Sequence, residues 1–226
     1  MSILNYEFSV HVLSSSIDDR EIVQIFRRMN STTYKLNKQE LRNAEYFGPY
    51  KECVYSLAEE QLNRWREWKL FTNEDVARMN EVEYTSELVN FIIDKKIMGK
   101  SQPAIEKKYK DNNDLFPSMD VVEKDFRRLM EFIEYLRKEI PESKNFLKKA
   151  TFYSYACAMQ KLFIDGNITT KNYGYSINST VKSGLFNRIE AFAKKNIAPS
   201  ILDATQRRTT NIKERSIIFN YLLENA

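Results

Sequence analysis

Histidine is almost absent from this chain: His11 is the single one in 226 residues. A Ser-His-Asp or Cys-His arrangement would have to use it, as would most histidine-bearing zinc sites. An HNH-type nuclease, which needs several histidines around a metal, is excluded. His11 lies in a segment that reads as a strand, and a lone strand histidine is read as structural. Glycine and proline are scarce, with five of each. That leaves little room for long structureless linkers or for an all-β fold with many tight turns. Neither G-x-G-x-x-G nor G-x-x-x-x-G-K-[ST] occurs, so the common phosphate loops are missing. The two cysteines, Cys53 and Cys157, lack metal-type spacing and fit a reducing cytosol. No window approaches the roughly 18 apolar residues of a membrane span. The start, "MSILNYEFSV", lacks the basic segment and long apolar run of a signal peptide. A cytoplasmic protein without membrane, metal or cofactor is expected.

What is present is aromatic and helical. Aromatic residues make up 13% and hydrophobic residues 42%, which argues for ring-built cores and against disorder. The net charge of +4 is a mild bias, compatible with nucleic acid without requiring it. "YEFSVHVL", residues 6–13, reads as one short strand; unpaired, it needs a hairpin, a second copy or a partner chain to pair with. Ser16 with Asp19, or Asp18 with Glu21, has capping-box spacing, and Ile22, Ile25, Phe26 and Met29 form one apolar stripe. Further helices are expected over 73–98, 119–140, about 178–195 and 205–225. Within 119–140, Val122, Phe126, Leu129, Ile133, Leu136 and Ile140 recur at 4-3-4-3-4 and stop at Pro141. "NFLKKATFYSYACAMQKLFI" carries no charge from Ala150 to Gln160 and reads as the central buried helix. The expected fold is mainly α: a multi-helix bundle with one short N-terminal strand or small β element.

Candidate chemistry is sparse. Asp120, Glu123 and Lys124 have the wrong spacing for a metal nuclease, and an acidic first helical turn explains them better. Gln206, Arg207 and Arg208 carry donors suited to phosphate. The plainer reading is a basic joint leading into a C-terminal helix, since a basic pair alone is a weak phosphate signal. Basic pairs recur at Arg27/Arg28, Arg127/Arg128, Lys148/Lys149, Lys194/Lys195 and Arg207/Arg208. On one face they would make a DNA-backbone track; scattered surface charge is the default.

The stretch "IFRRMNSTTYKLNKQELRNAEYFGPY" is more specific. It resembles the signature of the ParB/sulfiredoxin-like domain at the front of GmrSD-type restriction enzymes: F-x-R-x-N, a polar loop, Leu, then E-x-R-N-A and an aromatic-Gly end. The matching residues are Phe26, Arg28, Asn30, Leu36, Glu40, Arg42, Asn43, Ala44, Tyr46 and Gly48. "ARMNEVEYTSELVNFI" is similar to that family's R-M-x-x-x-E helix, and "DATQRRTTNIKER" to its final helix. The resemblance implies that residues 1–50 are the end of such a domain and 51–226 a helical domain. The family's D-G-Q-Q-R motif and its histidine-rich HNH domain are not found in this sequence, so no catalytic residue is assigned.

The implied function is a non-catalytic or incomplete member of a prokaryotic, modification-dependent restriction family. It would bind DNA, or a partner chain supplying the missing sheet and D-G-Q-Q-R motif, and a homo-oligomer is compatible with the unpaired strand. Phosphate or DNA contacts would come from Arg27, Arg28, Asn30, Arg42, Asn43, Arg207 and Arg208. Phe26, Leu36, Glu40 and Gly48 would be structural, although Glu40 and Arg42 can equally form an internal ion pair. The alternatives are a helical interaction scaffold without nucleic-acid binding and an inactive remnant of a restriction endonuclease.

Overall fold

The computed structural model describes Val10, Val12, Ile17, Asp18, Glu21, Ile22, Ile25 and residues 36–172 and 174–224. By contacts the chain divides into Met1–Asn37 and Lys38–Ala226. The signature helix therefore belongs to the larger unit with the helical body, ahead of the boundary expected at residue 50.

In the smaller unit, the Glu21 amide donates to Asp18 Oδ1 at 2.8 Å, one half of the capping pair read from sequence. Most of the expected strand over 6–13 lies outside the described residues. Val10 and Val12 are exposed and in no regular element.

The larger unit runs α1 (Lys38–Glu45), α2 (Pro49–Glu60), α3 (Leu62–Glu67), α4 (Asn73–Ala77), α5 (Asn80–Asp94), α6 (Gln102–Asp111) and α7 (Met119–Glu139). After a 3-10 turn at Pro141–Phe146 come α8 (Lys149–Ile164), β1 (Ile168–Lys171), β2 (Gly174–Ile177), α9 (Ser179–Ala193), α10 (Pro199–Ala204) and α11 (Ile212–Leu223). The fold is mainly α with a small β element. Among the described residues no helix is long and apolar enough to cross a membrane.

Two helices make the centre. α8 is buried over nearly its whole length, as its uncharged sequence requires. α5 is buried from Glu81 to Ile92 and packs on α2, α7 and α8. α7 lays its 4-3-4-3-4 stripe, each residue buried, into the same core. Rings fill the gaps: Trp65, Trp68, Phe71, Tyr84 and Phe152 form one edge-on and stacked cluster.

Two elements differ from the expected bounds, and a hairpin is added. The helix over 73–98 is two helices: Thr72 and Asp75 make a full capping box for α4, and Met79 adopts φ 56° between α4 and α5. The segment 205–225 begins as a turn, with Arg208 at φ 51°, and becomes helical at Ile212. A left-handed Met or Arg leaves no mark in hydrophobic periodicity. The antiparallel hairpin pairs Ile168 with Ile177 and Lys171 with Gly174; its strands are four residues each, too short to show alternation.

Gly48 is the N-cap of α2, with an ordinary φ of −87° and Pro49 in the first turn. Glycine is required by close approach: a Cβ there would sit 1.6 Å from the Asn113 carbonyl oxygen. The Asn113 side chain also accepts from the Gly48 amide at 3.2 Å. Gly48→Ala should therefore lower stability by about 1–3 kcal/mol, read as a fall in the urea midpoint. Asn113→Ala, which removes only long hydrogen bonds at exposed or partly exposed sites, should cost about 1 kcal/mol or less.

Candidate nucleic-acid interface

The signature helix α1 is pinned to the core by two crossed ion pairs. Arg42 Nη2 lies 2.7 Å from Glu83 Oε2, and Arg78 Nε lies 3.2 Å from Glu40 Oε1. The E-x-R-N-A and R-M-x-x-x-E segments thus hold each other. Arg42 is 1% exposed. Its remaining donors reach Gln39 Oε1 and Gln102 Oε1, each at 2.9 Å, and its guanidinium faces the Tyr109 ring. Tyr109 continues the network to Gln39 and Ser86.

Arg42 is therefore an interior residue, corrected from the expected phosphate contacts: its ion-pair alternative holds, with Glu83 rather than Glu40 as partner. Asn43 is half-buried, and its carbonyl accepts from Lys51 Nζ at 2.7 Å. Leu36 is half-buried. Phe26, Arg27, Arg28 and Asn30 lie outside the described residues.

Glu83 gathers cations. Besides Arg42 it accepts from Gln102 at 3.0 Å and pairs with Lys100 Nζ at 2.5 Å. Burial pushes its carboxyl up, but Lys100, Gln102 and Arg42 more than offset this and hold it below the ordinary carboxylate range. One turn along α5, Glu87 accepts from Arg215 of α11 at 2.6 Å. There burial dominates and the carboxyl is raised despite Arg215. Arg215 also donates to the Met98 carbonyl at 3.0 Å and stacks 3.9 Å over the Tyr153 ring.

These contacts fix the loop between α5 and α6, "KKIMGKS", against the joint before α11, "QRRTTNIK". The Lys100 amide donates to the Thr210 carbonyl at 2.7 Å. Gly99 comes so close to the start of α11 that a Cβ would meet the Ile212 nitrogen at 2.9 Å. An open groove of about 560 Å³ lies between the two segments, with Lys96, Lys100 and Lys213 among its lining residues. Ser101 and Asn211, the N-caps of α6 and α11, line it as well, so two positive helix ends add to the lysines.

Among the described residues, none of those recurring basic pairs lines the groove. Arg127 is taken by Glu60 and Glu123, Arg128 by Asp125, Lys149 by Asp75 and Lys194 by Glu190. Arg207 and Arg208 are exposed on the joint beside the groove, Arg207 in a loose 3.7 Å pair with Asp203. Lys95/Lys96 is a further basic pair in the sequence, but that "KKIMGK" shares a groove with the joint before α11 is legible only once Thr210 is known to lie against it.

Among the described residues no group of His, Cys, Asp and Glu is arranged to hold a metal. Both cysteines are buried and free, and burial raises the Cys53 thiol to about 12. No family model, curated protein or solved structure matches the chain.

Because the folded carboxyl of Glu83 is depressed, its contribution is complete above the unfolded value of about 4.3. It is lost as pH falls through the folded value. Glu83→Gln should cost about 3–5 kcal/mol near neutral pH, since it removes the close anion of buried Arg42 and leaves only Glu106, at 3.8 Å. The gap between the variant and the parent chain should close as pH is lowered to about 3, measured by urea unfolding across that range.

Proposed function

We propose that this chain is a non-catalytic helical module of the defence-associated restriction family that its signature resembles, and that it binds DNA through the phosphate backbone. The observation that carries the reading is the joining of two basic loops, remote in sequence, by the Lys100–Thr210 backbone bond around an open lysine-lined groove. Lysine ammoniums and helix N-termini suit phosphate and carry no base code, so sequence-independent binding follows. Arg207 and Arg208 extend the same basic joint. The groove is braced by Glu83, Glu87 and Tyr153 before any ligand arrives, which lowers the ordering cost of binding. Catalysis belongs to a partner chain in this reading, and the working compartment is the cytoplasm.

The test is a fluorescence-anisotropy titration of a short labelled DNA duplex at about 50 and 200 mM salt. Affinity should fall steeply with salt. Lys96→Ala with Lys213→Ala should make the log–log salt slope less negative by roughly 0.9 per phosphate contact removed. An absence of binding at both salt concentrations would turn the reading to a protein-interaction scaffold.

A further inference from the structure

Lys100 has two surroundings. Its ammonium sits 2.5 Å from Glu83 Oε1, yet 40% of its side chain remains exposed, and it lines the groove beside Lys96 and Lys213. Glu83 is only 8% exposed and is shared with Arg42, which α1 contributes. A chain of charge contacts therefore leads from the groove through Lys100 and Glu83 to Arg42. Its far end is the first helix after the division at Asn37.

Resting on the reading of the groove as a phosphate site, we propose that Lys100 couples groove occupancy to α1, because a bound phosphate competes with Glu83 for its ammonium. Lysine suits this exchange: a compact charge on a flexible stem can turn from one anion to another without rebuilding a fixed donor fork. When Lys100 turns outward, Glu83 keeps Arg42 as its one cation. Arg42 is also drawn toward Glu106, at 3.8 Å. A buried carboxylate with less counter-charge is destabilised, so opening of α1, which returns water to Glu83, becomes easier. Lys96 and Lys213 line the groove without touching Glu83, so they hold ligand without passing the signal on. By linkage, a change that loosens α1 must alter groove affinity by the same factor.

Hydrogen exchange of the α1 amides, in the full chain with and without a short DNA duplex, tests the coupling. Duplex should speed α1 exchange by roughly tenfold, the scale of one lost charge-assisted partner, while α7 stays protected. Lys100→Met should exchange fast in α1 without DNA and gain nothing from it; Lys100→Arg, which keeps the charge, should restore protection. Lys96→Met should leave α1 slow in the free chain while weakening DNA binding. If duplex binds with the expected salt slope and α1 exchange does not move, the coupling is wrong and the groove reading survives. If Lys100→Met leaves α1 as slow as in the parent chain, the coupling is likewise wrong. If no duplex binds, the groove reading fails and takes the coupling with it.

Discussion

The arrangement of the larger unit depends on one buried carboxylate. Glu83 sits inside the central helix α5, and a charge removed from water needs counter-charge and hydrogen bonds within reach. Arg42, Lys100 and Gln102 meet that need. They come from α1, from the loop after α5 and from the first turn of α6, so a single side chain sets the register of three segments on the core. Glu87 does the same one turn later, drawing Arg215 of α11 onto the same face.

The basic groove is a consequence of these two demands. Glu83 draws in one lysine of the loop, and Arg215 holds the loop's Met98 carbonyl. Lys96, on the same loop, and Lys213, at the head of α11, are left exposed beside each other's segments. Interior acids thus organise an exterior of opposite sign. The aromatic clusters around Trp65, Phe152 and Phe132 keep α5, α7 and α8 in place, so the acids are presented from a rigid support and not from a mobile loop.

The signature stretch takes its place in the same scheme. Two of its charged residues, Glu40 and Arg42, point their interactions at Arg78 and Glu83. They therefore act on the fold. Their effect on any ligand is indirect, by way of the helix they anchor. Asn43 and Gly48 belong to the same framework, the first through its carbonyl and the second through its contact with Asn113.

Residue order alone determined the helical class, the uncharged central helix and the extent of α7, because burial along a helix imprints a local period on the sequence. It also marked the signature residues as a unit and Arg42 as a possible ion-pair member. It placed the breaks at Met79 and Arg208 and the short hairpin wrongly or not at all, since left-handed residues and four-residue strands leave no periodic trace. Only the tertiary structure decided that Arg42 pairs with Glu83, 41 residues away, and that the loop at Lys96–Lys100 meets the joint at Thr210–Lys213. Those are long-range electrostatic matches between single residues. Nothing in the local spacing of charges says which buried acid will take which cation, or which lysines will remain for a ligand.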